Sequence, residues 1–265
     1  MYVCPKCKGP LTEYRCARCQ LEFPLSDGIP CFLPEATAAG SHRLRQVYDD
    51  IYRNHEDVWV DQGRSDDFLN YFRDLARSAR TDTVLEVGCG EGMLLAVLNG
   101  TGKYGIDPSL QALVRAKRRS AAECAVARAE ELPFPPDFFD LVVAVGVMEH
   151  FQDPDASTAE IRRVLKPTGR YIALIHTDMT PLGRLSQKAR EYLFPRFRPL
   201  TLLKWLRKKL LRPISQPFKR SYTIDSARAC LERNGLAITR IITRDREPGA
   251  PLAGAHVVIL LAQRR

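Results

Sequence analysis

Between residues 81 and 178 the apolar positions fall in short runs, and longer amphipathic stretches separate them. Val84 to Val87 is one such run. It ends in a sharp turn through Gly88, Gly90 and Gly92, and an apolar-rich helix follows. Further strands are predicted over 103–107, from Leu141 to Val145 and from Tyr171 to Ile175. Between the last two, AEIRRVL (159–165) has helical spacing and leads into a Lys-Pro-Thr-Gly turn. Alternation of this kind predicts an α/β fold with a doubly wound, largely parallel sheet. Upstream, RLRQVYDDIYRN (43–54) and SDDFLNYFRDLARSA (65–79) read as helices. Downstream, YTIDSARACLERNG (222–235) reads as a helix capped by Thr223 or Asp225 and closed by Gly235. HVVILLAQRR (256–265) reads as a last strand.

Length and charge refine this picture. The chain has 265 residues, 45 % of them apolar, enough for one full-sized domain and a small extra module. Its net charge of +9 is concentrated: residues 179–222 hold twelve Lys/Arg and one acid, Glu191. That segment carries +11, so the remainder of the chain is close to neutral at −2. The apolar run VVILLA (257–262) is too short to span a bilayer. The first residues carry neither an apolar h-region nor a small-residue cleavage site, so a cytoplasmic protein without a transmembrane segment is expected. There the eight cysteines read as metal ligands or core residues rather than disulfides.

Four of those cysteines open the chain as CPKCKGPLTEYRCARC (4–19). Cys4, Cys7, Cys16 and Cys19 are spaced C-x2-C-x8-C-x2-C, two knuckles with a hairpin's length between them. Gly9 and Pro10 suit the turn. Four thiolates close a tetrahedral zinc shell and leave no position for water, so such a site is structural. Iron in the same cage and a redox dithiol are the other readings; the dithiol lacks its β-α-β context. Cys31 falls outside the spacing and reads as a buried residue. The stretch Cys-Pro-x-Cys-Lys-Gly-Pro-Leu (4–11), with Phe23 to Pro30, resembles the zinc-ribbon activator family of tRNA and protein methyltransferases. The resemblance spans about 35 residues and implies a module that supports chemistry located elsewhere.

The turn after Val87 is G-x-G-x-G, unlike the dinucleotide fingerprint, and it is acidic. Glu86 precedes it and Glu91 lies inside it, where a pyrophosphate would be repelled. Acids there suit a cofactor carrying an ammonium and a sulfonium. Asp107, at the end of the second strand, is placed to accept both hydroxyls of a ribose. Gly92 also reads as a packing residue, Glu91 as a solvated first-turn acid, and Asp140 as a structural residue at a strand start.

Residues 81–178 resemble the class I S-adenosylmethionine-dependent methyltransferases of the type 11 kind, with a Rossmann-like seven-stranded sheet. The resemblance rests on Leu132-Pro133-Phe134, Phe139-Asp140-Leu141-Val142, Glu149-His150 and Arg163-Val164-Leu165-Lys166-Pro167-Thr168-Gly169. It implies that Glu86, Gly88, Cys89 and Gly90 line the methionine end of S-adenosyl-L-methionine. Asp107 and Pro108 would take the ribose, and Val145 would close the site. The 128–130 loop would read the adenine. Family members often have an acid before the loop alanine, whereas this chain has Arg128-Ala129-Glu130. An arginine cannot accept the adenine amino hydrogens, which leaves the Ala129 backbone or Glu130.

Methyl transfer from a sulfonium needs alignment and exclusion of water, and it needs a base only when the nucleophile is a poorly ionised hydroxyl. His150 and His176, each following a strand at the catalytic edge, are the candidate bases. Glu149-His150 also reads as an architectural pair. His42, His55 and His256 read as surface or packing residues. AVGVMEH (144–150) is not the Asn-Pro-Pro-Tyr type of motif used on exocyclic amines, and no Pro-Cys nucleophile stands at the matching position. TLLKWLRKKLLRP (201–213) places Leu202, Leu206 and Leu210 on one face and Lys204, Arg207, Lys208 and Arg212 on the other. Three readings stand: a cap over the site, a peripheral membrane contact through 200–213, or an RNA contact. A zinc module ahead of a methyltransferase also occurs in large-subunit rRNA guanine methyltransferases, whose zinc pattern includes His and whose later motifs differ. The expected organisation is a zinc ribbon at 1–35, a helical linker and cofactor lid at 36–80, and a methyltransferase domain at 81–265 with a basic helical insert at 179–222. The expected acceptor is a small or lipid-like molecule. An rRNA or tRNA acceptor and a cofactor-free scaffold are the alternatives.

Overall fold

The computed structural model describes residues 2–33, 39–54, 65–77, 81–177, 219–243 and 257–265. The helix expected at 201–213, most of the basic insert, His55, His256 and the side chain of His42 lie outside the described residues.

Seven strands form the central sheet: β5 (Thr83–Val87), β6 (Gly102–Asp107), β7 (Glu123–Val126), β8 (Phe139–Val145), β9 (Leu165–His176), β10 (Leu236–Thr243) and β11 (Val257–Arg264). Their order is β10-β11-β9-β8-β5-β6-β7. β5 to β9 run parallel, whereas β11 is antiparallel to both β9 and β10. The order reverses at β5, which has β6 on one side and β8 on the other. A doubly wound sheet opens its ligand crevice at such a point.

The strands bury both faces, as parallel strands covered by helices must. Leu85, Val87, Ile106, Val142 and Ala144 pack with Phe134 and Phe139 on one side. Val84, Leu141, Val143 and Ile172 pack on the other side against Phe68, Leu69 and Phe72. Those aromatics come from α2 (Asp66–Ala76), whose start is capped by the Ser65 hydroxyl accepting from the Phe68 N–H. The remaining helices are α1 (Ala39–Asn54), α3 (Met93–Val97), α4 (Leu110–Ser120), α5 (Pro154–Val164) and α6 (Ile224–Arg233). α3, at five residues, is shorter than the apolar run after the glycine turn implies. At α6 the cap is Thr223, in a reciprocal capping box with Ser226; Asp225 sits in the first turn.

The Lys-Pro-Thr-Gly segment is not a turn ahead of β9 but a bulge within it. Pairing with β8 passes from Phe139–Leu165 directly to Leu141–Arg170. The extra residues loop out, and a Cβ on Gly169 would lie 2.9 Å from the carbonyls of Lys166 and Phe139.

The N-terminal module is built from two hairpins, β1 (Arg15–Cys16) with β2 (Leu21–Glu22) and β3 (Leu25–Ser26) with β4 (Ile29–Pro30). Asp27 and Gly28 turn the second with φ of 54° and 67°, as a two-residue hairpin turn requires. The chain then joins the sheet edge: Cys31 bridges Val126 of β7, and the Phe32 N–H donates to the Val126 carbonyl at 2.8 Å. Tyr2 packs its ring against Phe134 and Phe32, and Phe32 packs against Phe23, each pair tilted. Lys8 adds an ion pair to Glu160 at 2.6 Å. Glu160 also accepts from Arg163 at 2.7 Å and from the Leu132 N–H at 2.9 Å.

Asp140 is a structural residue, as its position at a strand start implies. One carboxylate oxygen accepts from the Asp82 and Thr83 N–H groups and the Thr83 hydroxyl, and the other from Lys166 at 2.8 Å. Partial burial raises its pKa, but the Lys166 and Thr83 hydrogen bonds outweigh that and hold it below the ordinary Asp value. A depressed folded value means the stabilisation is fully present at neutral pH. It is lost as pH falls from the ordinary value of 3.8 through the lower folded one. Asp140→Ala is expected to cost about 2–3 kcal/mol in urea unfolding at pH 7 and much less near pH 2.5.

Candidate active site

The crevice at β5 is made by the glycine turn. Gly88, Gly90 and Gly92 have φ of 66°, 52° and 72°, a region that favours glycine. Space forbids side chains as well: a Cβ on Gly88 would lie 2.6 Å from Val147, and one on Gly92 would lie 2.9 Å from Ala116 of α4. Gly92 is therefore a packing glycine. Cys89 is fully buried, with its sulfur against Gly105 of β6, so only its backbone faces the crevice. Burial pushes its thiol well up, which keeps it neutral.

Two carboxylates flank this turn. Glu86 is fully buried in β5, and Asp107, at the end of β6, is 5 % exposed. Burying acids is costly unless a partner or ligand compensates for the lost water. Asp107 accepts from the Gly90 N–H with one oxygen and from the Ser109 N–H with the other, both at 2.9 Å. A carboxylate oxygen can accept more than one hydrogen bond, which is the chemistry a ligand hydroxyl needs. Pro108, half-buried, follows directly, and Val145 closes β8 as a buried residue.

α1 lies against the same place. Asp49 accepts from the Ser109 hydroxyl at 2.6 Å and the Gln111 N–H at 3.2 Å. Tyr48 is buried beside Asp107; its burial, and then the Asp107 charge, raise its pKa.

Glu91 departs from expectation. It is not solvated, being 1 % exposed and paired through one oxygen with Arg115 of α4 at 2.7 Å. The close approach of Gly92 to α4 brings the two groups together. In the 128–130 loop, a 3-10 turn, Ala129 is buried. One oxygen of Glu130 accepts from the Gln152 and Asp153 N–H groups at 2.8 and 3.3 Å, ahead of α5. Arg128 pairs with Glu131 at 3.1 Å.

His150 lies in a 3-10 turn after β8, and His176 ends β9. Sequence proximity pairs Glu149 with His150, but the structure pairs it with His176. Glu149 is 1 % exposed, and one of its oxygens accepts from His176 Nδ1 at 2.8 Å and from the His176 backbone N–H. Burial raises the Glu149 pKa, and the hydrogen bonds from His176 more than reverse that, so the carboxyl stays ionised. Glu149 was missed as a site residue. The available signal was an acid a few residues past an apolar strand, with a histidine closing the next strand.

At the other end of the molecule, the sulfurs of Cys4, Cys7, Cys16 and Cys19 all lie within 4.8 Å of one another. A tetrahedral zinc–thiolate shell, with bonds of about 2.3 Å, needs sulfurs about 3.8 Å apart, so the donor set fits that ion. Lys8 and Gln20, each just after the second cysteine of its pair, take φ of 60° and 53°, which makes the two knuckles alike. The Gly9 N–H, followed by the Cys19 thiol, lowers the Cys7 thiol to about 7, and the same thiol–thiol contact, followed by burial, raises Cys19 to about 12.

A methyltransferase-domain family model matches residues 85–173. An uncharacterized methyltransferase of Schizosaccharomyces pombe is 33 % identical over 119 residues, 38 % of this chain and 41 % of that one. A demethylmenaquinone methyltransferase of Symbiobacterium thermophilum is 29 % identical over 159 residues, 55 % of this chain and 63 % of that one. This chain thus spans less than two thirds of both relatives. Among solved structures, a SAM-dependent methyltransferase of Thermotoga maritima, described as a possible histamine N-methyltransferase, superposes with a TM-score of 0.59. It is 18 % identical and is matched over 84 % of this chain and 100 % of its own. The fold is shared with that S-adenosylmethionine-dependent methyltransferase structure. Through residues 85–173 this chain is similar to that methyltransferase-domain family.

The buried Glu91–Arg115 pair gives a direct test of how the turn is held. Arg115→Ala leaves Glu91 uncompensated and should cost about 2–3 kcal/mol in urea unfolding, below the full penalty for a buried pair because Arg115 keeps some solvent contact. Adding Glu91→Gln should recover most of that loss.

Proposed function

We propose that this chain is an S-adenosylmethionine-dependent methyltransferase that acts on a small or lipid-like acceptor. The observation that carries the reading is the pair of buried carboxylates, Glu86 and Asp107, either side of a turn where side chains cannot fit. Acceptor groups in that arrangement suit a ligand that brings an ammonium, a sulfonium and two hydroxyls, and they repel a pyrophosphate. When bound, S-adenosylmethionine supplies a methyl group on a good leaving group. The protein's task is then to align the acceptor and exclude water. Asp107 takes the ribose hydroxyls, Glu86 and the Gly88–Gly90 backbone face the methionine end, and Val145 and Pro108 line the crevice. With a Glu130 oxygen engaged ahead of α5, the adenine falls to the Ala129 backbone.

The acceptor side is the edge at β8 and β9. Both ends of the basic insert are rooted there: Thr177 bridges Tyr222, and the Arg220 N–H donates to the Glu149 carbonyl at 2.7 Å. The insert therefore departs from and returns to the rim of the site, which supports a cap over the acceptor. The relative named demethylmenaquinone methyltransferase supports a lipid-like acceptor. No helix among the described residues is long and apolar enough to cross a membrane, so any membrane contact through 200–213 would be peripheral.

Calorimetry with S-adenosylhomocysteine is expected to show one site per chain. Asp107→Ala should weaken it tenfold or more, because hydrogen bonds to a charged group are worth about 1.5–3 kcal/mol each. Incubation with labelled S-adenosylmethionine should then label a quinol lipid presented in vesicles and leave tRNA and rRNA unlabelled. Absence of binding would favour the cofactor-free scaffold, and labelling of RNA alone would favour the RNA reading.

For the ribbon we infer one structural zinc held by Cys4, Cys7, Cys16 and Cys19. Metal analysis of purified protein should find one zinc per chain. Cys4→Ser should lower the unfolding midpoint more than it alters methyl transfer per folded molecule. Protein free of both zinc and iron would refute the site.

A further inference from the structure

Glu149 and His176 stand apart from the cofactor-side carboxylates and on the same edge of the sheet. Pairing between β8 and β9 ends at Val145 and Leu174, so His176 lies two residues past that ladder while its other side is paired with Val257 of β11. A Cβ on Gly146 would lie 3.4 Å from His176 Cε1, so the ring rests over a position without a side chain. The next residue, Val147, is the one that presses on Gly88 of the cofactor turn. The ring is therefore one residue removed from the crevice. Its side chain is 51 % exposed, while the acid that holds it is 1 % exposed.

Two features go beyond what a purely architectural acid needs. Glu149 meets the His176 ring as well as its backbone N–H. Its second oxygen, Oε2, is buried with no hydrogen-bond partner among the described residues. Keeping an ionised acid there is costly, and a proton arriving on the adjacent ring would offset that cost.

We propose that His176 is the proton acceptor for the methyl acceptor, that Glu149 is its positioning residue, and that the acceptor group is a phenolic or enolic hydroxyl. This deepens the methyltransferase reading and rests on it. Glu149 holds the neutral ring with its hydrogen on Nδ1, which leaves the Nε2 lone pair free. As the hydroxyl oxygen forms its bond to the methyl carbon, its O–H bond breaks and the proton passes to Nε2. The methyl–sulfur bond breaks with its electron pair left on sulfur, so the sulfonium becomes a thioether. The imidazolium, neutralised by Glu149, then returns its proton to water.

The other titratable groups around the pair are few. His150 shares the Glu149 turn. Tyr171 of β9 is buried close to Glu149, and its hydroxyl is held protonated by burial. Tyr222, raised to about 12 first by burial, approaches the Met148 carbonyl at 3.5 Å. Cys230 of α6 adjoins both tyrosines and is raised by burial. Arg220 directs its guanidinium to the Gln152 carbonyl, and β11 places Val257 opposite His176. Among the described residues, the carboxylate touching the ring is that of Glu149.

The test uses the full chain, 1,4-dihydroxynaphthalene as a tail-less quinol probe, and three readouts. Calorimetry with S-adenosylhomocysteine should change less than threefold in His176→Asn and Glu149→Gln. In the kinetics, His176→Asn should lower kcat about 100-fold or more with little change in KM. Glu149→Gln keeps an acceptor for the ring N–H but removes the charge. It should lower kcat about tenfold and move the acid limb of the pH–rate profile to lower pH, a shift a merely structural carboxylate would not produce. Ring nitrogen NMR on the wild-type protein without any ligand should show the hydrogen on Nδ1. A hydrogen on Nε2, or an unchanged pH profile in Glu149→Gln, would overturn the pair. Cofactor binding without turnover of the quinol by the wild-type enzyme would overturn the hydroxyl acceptor class. Loss of S-adenosylhomocysteine binding in the wild-type protein would instead strike the methyltransferase reading, with the NMR result still judging the pair.

Discussion

The carboxylate of Asp107 is the joint on which the cofactor side of this molecule depends. One oxygen fixes Gly90 and the other fixes Ser109, so a single side chain sets the shape of the glycine turn and the start of α4. Ser109 in turn caps α4 through its hydroxyl and binds Asp49 of α1. The turn also reaches α4 through Gly92 against Ala116 and through the Glu91–Arg115 pair. Loss of the Asp107 charge would therefore loosen three elements together, which is why a buried acid can persist at a strand end.

The N-terminal module takes part in this framework rather than hanging from it. Its chain extends the sheet beside β7 and so covers an edge that would otherwise present unpaired backbone groups. Its aromatics join the same core as the strands that carry the site, and Lys8 completes the Glu160–Arg163 cluster that holds the 132–134 turn. A metal held by the two cysteine knuckles, as proposed above, would act on the central sheet through packing, more than 60 residues ahead of the glycine turn in sequence.

Much of this was legible in the sequence because it is local. The β5–turn–α3 segment, the strand ending in Asp107, the Thr223 cap and the cysteine knuckles each declare themselves within a few residues. What stayed hidden depends on partners that meet only in the folded sheet. Glu149 and His176 are 27 residues apart and come together because β8 and β9 run parallel in a fixed register. Glu91 looked like a solvated acid because nothing nearby announces Arg115, which α4 brings from 24 residues away. The Lys-Pro-Thr-Gly segment carried honest turn residues, yet the strand absorbs it as a bulge. Glu130 read as an adenine ligand by position alone, while its hydrogen bonds to the residues ahead of α5 belong to the tertiary fold.

The most direct test of the account is a crystal structure with S-adenosylmethionine bound. The account predicts both ribose hydroxyls within hydrogen-bond distance of Asp107 and the transferable methyl directed toward the edge formed by Gly146 and His176. A nucleoside seated away from Asp107, or a methyl directed to the opposite side of the glycine turn, would contradict it.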